Sequence, residues 1–131
     1  MERTEIQDLG EFGLIGRLTE GIQKRQPSTL LGVGDDAAVI DSFGKRVVVS
    51  TDLLVEGVHF DLSYVPLKHL GYKAAIANLS DICAMNSLPT QILVGLGISN
   101  RFSVEALEEL YSGMKLACEL YEVDLVGGDT T

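Results

Sequence analysis

The chain has 131 residues, of which 46% are hydrophobic and 22% are charged, and its formal net charge is −9. This length and composition predict one folded domain and exclude an acidic disordered tail. The negative charge disfavours a nucleic-acid partner, because phosphate backbones are bound by basic surfaces. No apolar run is long enough to cross a membrane, and the first residues lack the pattern of a signal peptide.

The first half of the chain predicts one helix and several short strands. We expect a flexible tail over residues 1–9 and an amphipathic helix over residues 11–25, where apolar residues recur at near-helical spacing. Short apolar or β-branched runs then predict strands at residues 30–34, 37–40 and 46–50. The Asp-Ser-Phe-Gly sequence at 41–44 has the composition of a turn.

The second half predicts two long helices, each followed by a strand. The first helix opens near Pro66, a favoured first-turn residue, and runs to about Met85. A strand follows at residues 91–98, and Ser103 can cap the next helix. Residues 124–126 predict a short last strand. This order indicates an α/β or α+β sandwich, with a mixed β-sheet flanked by helices.

The two cysteines, Cys83 and Cys118, each lie in an apolar run. We interpret them as small core residues of a reduced, cytoplasmic protein. The chain stops at Gly127-Gly128-Asp129-Thr130-Thr131. This sequence resembles the start of a loop, so we expect the chain to be part of a longer protein.

The acidic residues are the most informative feature for function. Most of them follow predicted strands, where loops present functional side chains, and one lies within a helix; they are Asp35, Asp36, Asp52, Asp81 and Asp129. Carboxylates of this kind suit Mg²⁺, which bridges to substrate phosphates and would offset the negative charge of the chain. The alternative is that Asp ends strands because it favours turns.

Residues 32–37 also fit the dinucleotide-binding pattern G-x-G-x-x-G/A. That site needs a helix directly after the glycines, and the next predicted strand leaves no room for one. No G-x-x-x-x-G-K-[ST] phosphate loop occurs in the chain. Three other residues have both a structural and a functional interpretation. His59 is either a strand histidine or a ligand contact, and Tyr111 is either a core residue or a functional one. Gly113 allows close approach of another chain or ligand.

Five ordered strings closely resemble the thiamine-monophosphate kinase family. They are Gly10-Glu11-Phe12, GVGDDAAV at 32–39, STDLLVEGVHF at 50–60, YKAAIANLSDICAM at 72–85 and VGGDTT at 126–131. Residues 10–131 are also similar to the N-terminal half of the wider superfamily that includes aminoimidazole ribonucleotide synthetase. The family protein is more than twice as long. Asn86-Ser87 departs from the family's small residues, but Asn tolerates left-handed backbone.

The resemblance implies an ATP-dependent kinase that converts thiamine monophosphate to thiamine diphosphate. It implies an N-terminal ATP- and Mg-binding domain over residues 10–131, whose sheet pairs with a dimer mate into a barrel. The implied Mg²⁺ ligands, for several ions, are Asp36, Ser50, Thr51, Asp52, Asp81 and Asp129. The implied substrate contact is His59, and the implied nucleotide contacts are Tyr111, Gly128 and Asp129. Asp35 ranks just below Asp36.

We expect no general base, because the attacking phosphate oxygen is already largely ionised at neutral pH. Half of the site is missing, so we expect the isolated chain to be inactive. Two alternatives remain. One is a non-catalytic dimerisation and metal-binding module, and the other is a related ATP-dependent synthetase of the same superfamily.

Overall fold

The computed structural model describes residues 4–59 and 61–131. Within these ranges the elements follow the predicted order of one helix, three strands, and then helix, strand, helix and strand. They are α1 (Ile6–Leu18), β1 (Thr29–Leu31), β2 (Ala38–Ser42), β3 (Lys45–Val49), α2 (Leu67–Ala84), β4 (Gln91–Leu96), α3 (Val104–Tyr121) and β5 (Asp124–Thr130). The α/β class is confirmed. The strands of the described residues form two sheets instead of the single mixed sheet that we expected.

The first sheet is antiparallel and has the strand order β1-β2-β3. β2 and β3 are joined by Phe43 and Gly44, whose φ angles are 51° and 80°. Two successive positive φ angles are typical of a type I′ turn, which matches the twist of a hairpin. The register Ser42↔Lys45 closes the hairpin directly around this turn. β2 begins at Ala38, so no helix follows the glycines at 32 and 34, and the dinucleotide interpretation fails.

The first helix differs from its prediction mainly at its C-terminal end. α1 spans Ile6–Leu18, but Gly10 within it has non-helical backbone angles (φ 69°, ψ 177°), so the uninterrupted part begins after Gly10, close to the predicted start at residue 11. The predicted end at residue 25 is wrong, because α1 ends at Leu18. It ends where the backbone N–H and the side-chain hydroxyl of Thr19 both donate to the carbonyl oxygen of Ile15. None of its residues is buried, and Phe12 is 86% exposed. The apolar stripe therefore lies open to water.

The centre of the molecule is the crossing of α2 and α3. A Cβ atom on Gly71 would lie 1.9 Å from the carbonyl oxygen of Leu110, and one on Gly113 would lie 1.8 Å from that of Lys68. Gly113 therefore allows close approach of α2, rather than of another chain or a ligand as we had considered. The predicted cap of α3 is confirmed, because the Ser103 hydroxyl accepts the backbone N–H of Ala106 at 3.1 Å.

The second sheet packs against this helix pair. β4 and β5 run parallel, and Ile92 of β4 contacts the buried cluster of Leu79, Cys118 and Val123. Cys118 is therefore a core residue, as predicted. The prediction for Cys83 was wrong, because its side chain is exposed near the end of α2. Both thiols are free.

The chain leaves much of its surface in water. Its accessible area is 10,206 Å², whereas a compact monomer of 14.1 kDa exposes about 6,700 Å². Large apolar side chains are among those exposed, and Leu93 on β4 is 70% exposed. Among the helices described, none has both the length and the hydropathy that a membrane crossing requires.

Candidate functional site

The antiparallel sheet brings together two of the predicted metal ligands. The hydroxyl of Ser50 donates to the backbone carbonyl of Asp36 at 2.9 Å. This contact continues the β2–β3 ladder, whose last pair is Ala38↔Val49, so the two residues meet at the end opposite the hairpin turn. Asp35 folds back and accepts the backbone N–H of Asp36 at 2.8 Å. Of these two aspartates, Asp36 is the one whose carboxylate accepts no hydrogen bond from the described residues.

Thr51 and Asp52 extend this edge into the loop that follows β3. Both side chains are exposed. One carboxylate oxygen of Asp52 accepts the backbone N–H of Leu53 at 2.9 Å. This local bond orients the carboxylate and leaves its second oxygen open to a ligand.

The remaining predicted site residues lie on the helix pair and the parallel sheet. Asp81 is half-buried in the last turn of α2, and Tyr111 is half-buried on α3. We predicted that Asp129 follows a strand, but it lies within one, because β5 extends through it to Thr130. Its register partner in β4 is Gly95.

Gly128 is fixed by the packing of β5 against β4. Its φ is +149°, and a Cβ atom there would lie 1.8 Å from the carbonyl oxygen of Val94. Only glycine fits this approach of two backbones. A structural requirement therefore accounts for Gly128, and its proposed nucleotide contact would come from the backbone.

His59 lies in a turn, so its interpretation as a strand histidine was wrong. Its backbone N–H donates to the carbonyl of Val55 at 2.9 Å, and its Nδ1 accepts the N–H of Val55 at 2.9 Å. Its own carbonyl accepts a hydrogen bond from the side chain of Lys73 on α2, at 3.0 Å. Sequence reasoning missed Lys73, although it lies in one of the strings that carry the resemblance, because its role depends on a contact across fourteen residues.

In the described residues, the carboxylates of the predicted site do not form a metal-binding cluster. Across residues 4–59 and 61–131, no group of three His, Cys, Asp or Glu side chains is close enough to hold a metal ion. No hydrogen bond or ion pair within the same ranges joins Asp81 or Asp129 to the edge at Asp36. The donor set nevertheless fits Mg²⁺ chemically, since it consists of carboxylate and hydroxyl oxygens that water can reach. The complete ligand set stays a prediction.

The perturbed ionisable groups lie outside the predicted site. The neighbouring Tyr121 hydroxyl and, to a smaller extent, desolvation raise the pKa of Tyr72. Burial, assisted by the carboxylate of Asp124, raises the pKa of the Cys118 thiol. A raised thiol pKa keeps Cys118 protonated at neutral pH, so it is inert as a nucleophile.

Residues 34–131 match the family model of AIR synthase related protein, N-terminal domain. The chain belongs to this family. It is 37% identical over 124 residues to the thiamine-monophosphate kinase of Aquifex aeolicus. The aligned region covers 95% of this chain and 38% of that protein. It is 38% identical over 123 residues to the thiamine-monophosphate kinase of Bacillus subtilis, with 93% of this chain and 38% of that protein covered.

A solved structure of AaThiL complexed with AMPPCP and TMP has the same fold, with a TM-score of 0.86 and 36% sequence identity. The match covers 98% of this chain and 40% of that one. This chain therefore spans less than half the length of the relatives it matches.

Proposed function

We propose that this chain is the N-terminal part of an ATP-dependent kinase that phosphorylates thiamine monophosphate to thiamine diphosphate. The observation that carries the proposal is the match, over 98% of the chain, to a protein bound to AMPPCP and TMP. AMPPCP is an ATP analogue, so a nucleotide and a phosphorylated acceptor occupy that neighbour together. The identity of 37% to a protein named as this kinase supports the same reaction.

In this proposal, the acidic residues act on the charge of the phosphates. Phosphoryl transfer needs in-line positioning and neutralisation of negative charge more than covalent help. We assign Mg²⁺ binding to Asp36, Ser50, Thr51, Asp52, Asp81 and Asp129. When bound, the ions supply the positive charge that a chain of net charge −9 otherwise lacks.

The same proposal assigns the organic ligands. His59 contacts thiamine monophosphate, and Tyr111, Gly128 and Asp129 contact ATP. No residue acts as a general base. A cytoplasmic location stays a prediction from the sequence.

Turnover with ATP, Mg²⁺ and thiamine monophosphate tests the reaction. Formation of thiamine diphosphate by the whole protein that contains this chain supports the kinase. A different phosphorylated product would favour a related synthetase of the superfamily. Absence of any turnover by that whole protein would favour the non-catalytic dimerisation and metal-binding module.

Mg²⁺ should raise the melting temperature of this chain, and the change Asp52→Asn should reduce that rise. A ligand at 100 times its Kd stabilises a protein by about 2.7 kcal/mol, so a rise of several degrees is expected in saturating Mg²⁺. The Asn side chain keeps an oxygen that can accept the Leu53 N–H, so the metal-free variant should stay folded. Scanning calorimetry at increasing Mg²⁺ measures both quantities.

Asp8→Asn is the matched control, because it removes one carboxylate from α1, outside the proposed set. Its Mg²⁺ response should equal that of the unmodified chain. An undiminished response in Asp52→Asn would contradict the assignment of Asp52 to the metal.

We also propose that this domain forms a homodimer through β4 and β5, completing a barrel with its mate. The alternating burial of β4 puts Ile92, Val94 and Leu96 on its less exposed face and leaves Leu93 on the outer face. An apolar outer face of this kind needs a cover. A two-fold mate is the commonest way to provide one.

Leu93→Glu should convert a dimer of about 28 kDa, twice the mass of the chain, into monomers. A charge on this face would be desolvated without a partner in the dimer. Light scattering at micromolar concentration measures the mass, and Leu88→Glu is the control, since Leu88 is 82% exposed but lies outside β4. A folded monomer of unmodified sequence at every concentration would refute the dimer. Leu96→Glu is less informative, because Leu96 lies on the more buried face of β4.

A further inference from the structure

The segment from Val55 to His59 is a turn closed on itself. The backbone N–H groups of Val58 and His59 both donate to the carbonyl of Val55, at 3.2 and 2.9 Å. Gly57 has a φ of +80°, which allows the chain to reverse inside the turn. The N–H of Val55 then donates back to Nδ1 of the His59 ring at 2.9 Å. The imidazole thus forms one side of the turn.

This last bond determines where the ring proton lies. In a neutral imidazole one nitrogen is a donor and the other an acceptor. A backbone N–H can only donate, so Nδ1 must be the acceptor, and the proton is on Nε2. The bond also restricts rotation of the ring, since Nδ1 is directed back at Val55.

A second contact connects the turn to the rigid part of the molecule. The ammonium group of Lys73 donates to the carbonyl oxygen of His59 at 3.0 Å. Lys73 lies in the second turn of α2, the helix that packs against α3 through Gly71. The same helix carries Asp81 eight residues later, about 12 Å further along its axis. Lys73 therefore sets the position of His59 relative to a proposed metal ligand.

We infer that Lys73 is a positioning residue, and that it and the Val55 N–H hold His59 as an uncharged Nε2–H donor toward an acceptor atom of the substrate. The substrate part of this inference rests on the proposed function, whereas the geometry of the turn does not. A substrate acceptor would meet a donor that is already oriented, so little side-chain entropy is lost on binding.

The ligand-free chain tests the geometry by nuclear magnetic resonance. The sequence has two histidines, and His69 accepts and donates no side-chain hydrogen bond within the described ranges, so it serves as an internal control. Ring ¹⁵N shifts should show the Nε2–H tautomer alone for His59 and a tautomer mixture for His69. Identical mixtures at the two histidines would overturn the inference.

Amide exchange at Val55 provides the second measurement. His59→Asn keeps an acceptor oxygen at the position of Nδ1 and should preserve protection, whereas His59→Gln moves its polar group to the position of Nε2. For His59→Gln we expect Val55 exchange to rise by about tenfold, the equivalent of one ordinary hydrogen bond. Equal exchange in the two variants would overturn the role of Nδ1.

The kinase reaction of the whole protein tests the positioning role. Lys73→Met should raise KM for thiamine monophosphate severalfold, with KM for ATP unchanged, and Lys73→Arg should restore it. Lys68→Met is the control, since Lys68 is exposed on the same helix and its side chain makes no hydrogen bond or ion pair with a described residue. An unchanged KM for thiamine monophosphate in Lys73→Met would overturn the role of Lys73. If the unmodified protein makes no thiamine diphosphate, the proposed function fails while the resonance measurements still decide the geometry.

Discussion

Gly113→Ala should destabilise the chain by about 3 kcal/mol or more, a loss of the size that overpacked cores show at the upper end. The added methyl would meet the carbonyl oxygen of Lys68 at 1.8 Å and the backbone nitrogen of Tyr72 at 2.8 Å. Both are backbone atoms of α2, so no side chain can rotate away. The helices must separate, and the contacts around Met114 and Ala117 in the core would loosen with them. Urea unfolding followed by circular dichroism measures the loss.

Gly71→Ala should have a similar effect, because its methyl would lie 1.9 Å from the carbonyl oxygen of Leu110. Gly16→Ala on α1 is the matched control. It is also a helical glycine, but a methyl there meets nothing within 4 Å. Alanine is the better helix former, so this variant should gain about 0.5–1 kcal/mol. If Gly113→Ala unfolds at the same urea concentration as the unmodified chain, the close crossing of α2 and α3 is wrong.

Gly128→Ala should destabilise the parallel sheet whether or not a nucleotide is bound. The methyl would meet three backbone atoms of Val94, the nearest at 1.8 Å, and the φ of +149° is itself unfavourable for alanine. We expect a loss of about 3 kcal/mol from clash and backbone strain together. Urea unfolding gives this value, and amide exchange in β4 shows where protection disappears.

Gly95→Ala separates a packing effect from a general effect of substituting glycine in this sheet. Gly95 is in β4 opposite Asp129, and a methyl there meets nothing within 4 Å. This variant should keep the stability of the unmodified chain. Equal losses in the two variants would show that the Gly128 contact with Val94 does not carry the effect.

Local sequence signals predicted most of the fold. The β-branched run at 46–50, the turn at Phe43-Gly44 and the cap at Ser103 each act within a few residues, and each was found close to its predicted place. Asn86 has a φ of 55°, as its tolerance for left-handed backbone suggested. The end of β5 was missed because two glycines weaken a strand pattern, and pairing with β4 overrides that propensity.

The candidate site was less predictable, because it depends on contacts between distant parts of the chain. Apolar spacing could not locate the end of α1, because none of the residues on this helix is buried in a core. Sequence alone left His59 open between a strand histidine and a ligand contact, whereas its ring closes a turn that Lys73 holds from α2. The sequence singled out the acidic residues and the resemblance implied their role with Mg²⁺, but neither could show that the Ser50 hydroxyl donates to the carbonyl oxygen of Asp36.

The large exposed area of the chain has a consequence for its heat capacity. About 3,500 Å² more surface stays in water than in a compact monomer of this mass. The heat-capacity change of unfolding grows with the apolar surface that folding removes from water. A chain that keeps this surface hydrated therefore has a flatter curve of stability against temperature. Covering the outer face of β4 and β5 would steepen the curve, so assembly would add its own heat-capacity change to the one that folding of a single chain produces.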